Sequence, residues 1–140
     1  MATYTATAAE AGVPARFAIN GDITRVVDFT MTTALSAGDV IQMVKVPAGA
    51  QILSFALGMI DVPTTHSGVI TFDIGDGNSA SALATTVLLS GTAVSTAMRS
   101  TGYGYSYSAE DTIDLKVTAI SAAGASGGLR LSLRYTLDGK

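Results

Sequence analysis

From Leu129 to Leu137 the chain alternates without a break. Leu129, Leu131, Leu133, Tyr135 and Leu137 are apolar, and Arg130, Ser132, Arg134 and Thr136 between them are polar. In an extended strand successive side chains point to opposite sides, so this run has one face for a core and one for water. A helix would scatter the same residues around its axis. The period recurs upstream. Ile113, Leu115, Val117 and Ala119 alternate with Asp114, Lys116 and Thr118, and Val27, Phe29 and Met31 alternate with Asp28 and Thr30. Ile70, Phe72 and Ile74 face one way in the same manner. A chain patterned like this is committed to β-sheet.

The other segments fit around these runs. Val40 to Val46 is apolar on both faces, which predicts a strand inside a sheet. Gln51 to Asp61 carries Leu53, Phe55, Leu57 and Met59 on one face, and small Ser54, Ala56 and Gly58 on the other, where another layer can approach closely. Turns fall at Ser36-Ala37-Gly38-Asp39, Pro47-Ala48-Gly49 and Gly75-Asp76-Gly77-Asn78-Ser79, rich in residues that punctuate strands. Residues 80–100 suit a short helix or a strand, and β-branched Thr85, Thr86 and Val87 favour extended structure. Tyr103, Tyr105 and Tyr107 alternate with Gly104 and Ser106, and a strand would put all three rings on one face. The small residues Ser121 to Gly128 read as a hairpin joining the last two strands. About eight strands with a turn every 8–12 residues predict an all-β, antiparallel sandwich or barrel.

With 140 residues the chain fits one domain, and it has no cysteine, so no disulfide or thiolate zinc site staples it. Residues 1–15 read as an extended N-terminal arm ending at Val13-Pro14, and 16–140 as the single β domain. Charge is sparse, at 14% of residues against a usual ~25%, while alanine, threonine, serine and glycine make up close to half the chain. A surface of small, weakly charged groups resists association poorly, which points to a subunit covered by neighbours. The net charge of −3 provides no basic excess for phosphate neutralisation, which argues against nucleic-acid binding. The apolar stretch Ile52 to Ile60 is about half of the ~20 residues a membrane helix needs, and residues 1–10 have no secretory-signal pattern. The expectation is cytoplasmic synthesis with no membrane partner.

Each constellation that suggests chemistry has a plainer explanation. His66 stands alone in Pro63-Thr64-Thr65-His66-Ser67-Gly68, with no nucleophile elbow, so a loop histidine is expected rather than a Ser–His–Asp triad. Asp73, Asp76 and Asn78 suggest a calcium loop, but Gly75 and Gly77 stand where an EF-hand needs its next oxygen ligands. A strand end and a tight turn account for them. Glu110, Asp111 and Asp114 bring carboxylates together, but the tryptophan-free chain lacks an aromatic cleft for glycoside hydrolysis, and Asp114 falls on the outward strand face with Lys116. These are expected to be solvated charges. No glycine-rich phosphate loop is present. The expectation is therefore no enzyme, no cofactor and no metal. Tyrosine combines a large apolar body with a hydroxyl that needs a partner, and it is enriched at interfaces. Tyr103, Tyr105 and Tyr107, with Tyr4, Val13 and Pro14 in the arm, are the candidate interface residues. The tyrosine face also suits stacking on sugars.

Three segments, Gly38 to Ala50, Phe72 to Gly77 and Tyr107 to Val117, followed by the closing run Leu129 to Tyr135, resemble the decoration or cement proteins of tailed-bacteriophage heads. The likeness spans about residues 20–137. It implies a jelly-roll-like sandwich on the outer surface of the virion shell, bound to the major capsid protein and to copies of itself as a homotrimer before a homodimer. It carries no catalytic residue, and it implies that the arm clasps the shell protein. The alternative is a tail, neck or head-fibre module that binds host-surface glycans.

Overall fold

A computed structural model describes residues 1–6, 22–31, 35–60, 68–90, 94–121 and 127–137. Within them lie nine strands: β1 (Thr3–Thr5), β2 (Asp22–Met31), β3 (Val40–Val46), β4 (Ala50–Ile60), β5 (Val69–Gly75), β6 (Ala84–Ser90), β7 (Val94–Ser95), β8 (Asp111–Ile120) and β9 (Gly127–Leu137). There is no helix among the described residues. The antiparallel pairs are nested: β5 with β6, β4 with β7, β3 with β8, and β2 with β9. The chain is thus one long hairpin rolled up, and further pairings of β4 with β9 and β5 with β8 complete the two sheets. One sheet runs β1-β3-β8-β5-β6 and the other β2-β9-β4-β7. This is a jelly-roll sandwich.

The core lies between the sheets. Ile70, Phe72 and Ile74 from β5, Ile113, Leu115 and Val117 from β8, and Leu129, Leu131, Leu133 and Tyr135 from β9 are all at 0% exposure. Full burial of one such side chain stabilises by about 1.5–3 kcal/mol, so these rows supply much of the driving force. The uninterrupted period of β5 and β9 is read directly into the fold. Residues 84–90 are extended, as their β-branched residues predict.

Where the period fails, a bulge is the cause. In β4 the register shifts between Ile52 and Ser54, so Ile52 enters the core at 0% exposure and Leu53, expected there, is only half-buried. In β8 a shift opposite Thr71 and Phe72 leaves Ala119 exposed and turns Ile120 toward the core. In β3 a bulge between Gln42 and Val44 buries both Met43 and Val44. The two-faced apolar pattern of that strand comes from the bulge, though β3 does lie inside its sheet, between β1 and β8. A bulge adds one residue to one strand and inverts the alternation beyond it.

The connection from β8 to β9 is not a hairpin. The two strands belong to different sheets, β8 between β3 and β5 and β9 between β2 and β4. Both strands present a core face over most of their length, and a period-two pattern is identical whether the next strand joins the same sheet or the opposite one.

The first six residues lie along the edge of the five-stranded sheet. β1 pairs parallel with β3, Thr3 opposite Val40 and Thr5 opposite Gln42. Tyr4 packs against Phe29, with ring centroids 6.1 Å apart. Asp39 is buried and holds the start of the chain. Its carboxylate accepts the Ala2 amide at 2.8 Å and the Ser36 amide at 2.8 Å. The Ala2 bond first, then that of Ser36, keeps this carboxyl below its ordinary range. A depressed pKa contributes stability that is present above the unfolded value near 3.8 and is lost as pH falls through the folded value. Asp39→Ala is expected to release β1, seen as lost hydrogen-exchange protection at the amides of Val40 and Ala6, which bond to Ala2 and Gln42. Unchanged protection would mean that the ladder alone holds the strand.

Candidate interaction surface

The four-stranded sheet has a core face and an open face. Cross-strand neighbours share a face, so the rows can be read from the register. Val26, Ser132 and Ala56 form the central row, with Asp28, Arg130 and Gly58 on one side and Thr24, Arg134 and Ser54 on the other. Arg130 grips Asp28 with two bonds of 2.7 Å, and Arg134 bonds Asp22 at 2.8 Å. These pairs are about half exposed, so each stabilises by no more than about 1 kcal/mol. Their effect on the surface is larger than on stability, because they neutralise the charges that β2 and β9 carry on this face. The β4 side carries Ser54, Ala56 and Gly58, with Ile60 at its end. Val26 is 60% exposed beside them and Val94 65%.

β4 also has a break in its ladder on the side away from β9. At one end, Ile52 donates to the Tyr105 carbonyl at 2.9 Å and accepts from the Gly104 amide at 2.8 Å. At the other end, Leu57 and Gly58 pair with Ser95 and Val94. Between them Leu53 to Ala56 has no strand neighbour on this side among the described residues. The chain between β7 and Tyr105 is drawn toward the opposite sheet, where the Arg99 amide donates to the Leu83 carbonyl at 2.8 Å. The result is a groove of about 480 Å³ whose walls include Leu53, Phe55, Ala56, Met98, Arg99 and Tyr103. A smaller cleft of about 270 Å³, lined by Gly58, Val94 and Arg130 among others, adjoins it and shares Ala56 and Ser132. Gly102, next to Tyr103 in the groove wall, packs against Leu83. A Cβ there would meet the Leu83 carbonyl oxygen at 2.5 Å and its Cα at 2.7 Å. Gly102→Ala must therefore move backbone, and a loss of about 1–3 kcal/mol in urea unfolding is expected. An unchanged midpoint would contradict this packing.

The tyrosines do not form one stripe. Residues 101–104 are a turn, with Gly102 and Tyr103 both donating to the Arg99 carbonyl and Gly104 at φ +76°. Only Ser106 forms a bridge, with Gln51. Tyr103 is 69% exposed at the groove. Tyr105 and Tyr107 turn to the end of the sandwich, stacked edge to face at 5.2 Å, and Tyr107 is buried. The glycines that make the repeat look like a strand are the ones that let it turn. Of the other candidate interface residues, Tyr4 is in β1, and Val13 and Pro14 lie outside the described residues, as does His66.

Asp73 and Asp76 form the expected strand end and tight turn, and Asp114 departs from expectation. Asp73 accepts the Thr86 amide at 3.0 Å, which supports the one non-glycine residue described with positive φ, Thr86 at 55°. Asp76 closes its turn by accepting the amides of Asn78 at 2.8 Å and Ser79 at 2.7 Å. Asp111 accepts from the Asn78 side chain at 3.2 Å. Asp114 does project from the outward side of β8, but it is not solvated. It is buried at 6% exposure, in a cleft it shares with the 76–80 turn. Only the tertiary structure brings that turn alongside, so nothing within β8 itself signals it. Among the described residues no three metal-ligating side chains gather around one point.

The same fold occurs in chains of bacteriophage capsids. The structure superposes on a chain from the capsid of Ralstonia phage GP4 with a TM-score of 0.73 and 21% identity, covering 99% of both chains. It matches a chain of the cyanophage Pam1 capsid asymmetric unit with a TM-score of 0.66 and 25% identity, over 92% of this chain and 95% of that one. A chain from the acid-stable capsid of Helicobacter pylori bacteriophage KHP30 matches with a TM-score of 0.53 and 14% identity over 84% of this chain and 88% of that one. No protein-family model matches the sequence, nor does any curated protein.

Proposed function

We propose that this chain is a structural protein of a bacteriophage virion, and that it serves as a decoration or cement protein on the outside of the shell. The observation that carries the reading is the end-to-end match, over nine-tenths or more of both chains, to folds taken from the Ralstonia phage GP4 and cyanophage Pam1 capsids. The surface supports it independently. The charges of β2 and β9 on the open face are internally paired, β4 is lined there mostly with small side chains, and the ladder gap offers unpaired backbone to a neighbouring chain. A shell-bracing protein needs contact area and multiplicity rather than a reactive centre, since weak contacts repeated by symmetry give high avidity. The partners in this reading are the major capsid protein and further copies of the chain, arranged as trimers. The protein is made in the host cytoplasm and resides on the capsid surface.

The glycan-binding alternative used Tyr103, Tyr105 and Tyr107 as a common stacking platform. Only Tyr103 is prominent at the surface, so that platform does not form.

Sedimentation of the purified protein with expanded phage shells tests the proposal. Saturable binding to shells, none to the naked genome, and a trimeric mass in free solution are expected. A monomer that stays in the supernatant would refute it.

A further inference from the structure

Backbone groups along an antiparallel strand turn alternately to its two sides, so residues that share a face turn theirs the same way. Ile52 faces the core and turns its N–H and C=O away from β9, to the Tyr105 carbonyl at 2.9 Å and the Gly104 amide at 2.8 Å. Beyond the bulge the next core-facing residue is Phe55, opposite Leu133 of β9 and 3% exposed. Its N–H and C=O therefore turn to the same side as those of Ile52, into the middle of the ladder gap. Phe55 belongs to the groove wall through this backbone, because its ring is in the core. No described residue bonds it on that side. An N–H and a C=O set in strand geometry at a nearly buried residue are completed by another extended backbone.

The gap is short and closed at both ends. Residues 53–56 span roughly 13 Å at strand spacing. β7 stands at one end and the Gly104–Tyr105 turn at the other. The free edges of a folded second copy do not fit such a slot. β2 is 10 residues long and β6 is 7, and each is fixed in its own sheet. A flexible segment can enter between the two stops.

Charge narrows the occupant further. Among the described residues lining the groove, Arg99 alone is charged. Its guanidinium is held at the wall by donating to the Ser81 carbonyl at 3.0 Å, and no described carboxylate forms an ion pair with it. A guanidinium has five N–H donors, so most remain to grip a carboxylate. Arg130, at the adjoining cleft, is already held by Asp28. Met98 and the exposed ring of Tyr103 add apolar surface beside Arg99.

We propose that the gap in the β4 ladder takes in an extended, acidic segment of the shell protein as an added strand, with Arg99 binding a carboxylate of that segment. The inference rests on the shell-surface role proposed above and names how the shell is held. Backbone pairing with Phe55 supplies attachment without regard to sequence, and the carboxylate on Arg99 sets the register and selects the segment.

The test is co-sedimentation of the full chain with expanded shells, for wild type and Arg99→Glu, together with hydrogen exchange of wild type free and shell-bound. Arg99 is exposed, so Arg99→Glu is expected to keep the wild-type melting point and the wild-type mass in free solution. Its retention on shells is expected to fall at least about tenfold, because the reversal sets like charges together at every copy. The Phe55 amide of wild type is expected to gain at least about tenfold protection on the shell. Surface contact without an added strand leaves that amide unpaired, and the readout needs no variant. Wild type that shells do not retain would overturn the shell role and the added strand together. Wild type that is retained, with Arg99→Glu retained equally or with the Phe55 amide unchanged, would overturn the added strand alone. A free-solution mass altered by Arg99→Glu would assign the slot to a second copy and overturn the proposal as well.

Discussion

Phe72→Ala is expected to lower the unfolding free energy by about 3–5 kcal/mol, as the loss of a fully buried aromatic ring does. Phe72 is at 0% exposure in the middle of β5. Its strand neighbours are Val117 of β8 and Val87 of β6, both also buried. Truncation removes the transfer energy of the ring and leaves a cavity, because strands pinned on both sides cannot collapse inward. Domains of this size are stable by only about 5–15 kcal/mol, so the loss is a large share of the total. Urea unfolding should show a lower midpoint with an unchanged slope. Leu88→Ala, one residue beyond Val87 but 56% exposed on the outer face, is the control and should cost under about 0.5 kcal/mol. Comparable losses at the two positions would mean that β5 and β6 are paired in the wrong phase.

Ala56→Arg is expected to abolish binding to expanded shells while leaving the fold intact. Ala56 is common to the groove and the adjoining cleft, and it lies in the central row of the β4 face with Ser132 and Val26. An arginine there fills the groove and places an unpaired charge where a neighbouring backbone would pack. Because many copies bind one shell, a modest loss per contact is amplified, and at least a roughly tenfold drop in retained protein is expected. The melting point should move by less than about 2 °C, since the side chain points away from the core. Leu88→Arg, on the outer face of the other sheet, should bind like wild type. If Ala56→Arg binds normally and Leu88→Arg does not, the five-stranded sheet is the contact face instead.

The strands were legible because the buried rows of β5 and β9 never break period. Ile70, Phe72 and Ile74, or Leu129 to Tyr135, allow only one phase. The phase of β4 and the end of β8 was not legible, because a bulge leaves no mark in hydrophobicity when the neighbouring residues, Ile52 and Leu53 or Ala119 and Ile120, are both apolar. The β8–β9 crossover was hidden for a related reason. Pairing partners in a nested roll are far apart in sequence, and the small residues of 121–128 suit a hairpin and a crossover equally well. The interaction surface was half visible. The small face of β4 appears in the alternation of Ser54, Ala56 and Gly58, but the ladder gap depends on where the 96–103 segment goes, which is fixed by its bond to Leu83, just before β6 of the other sheet. The tyrosine repeat misled because alternation with glycine fits a turn as well as a strand. Asp114 looked solvated because the turn that shares its cleft, 76–80, is remote in sequence.

An image reconstruction of the assembled particle by electron cryo-microscopy tests the central claim most directly. The expected result is a two-sheet density of this chain's size on the outer surface of the shell, repeated at its symmetry axes, with the open β4 face turned to a neighbouring subunit. A particle whose outer surface carries no such density, with the chain found only in the tail or absent from the virion, would contradict it.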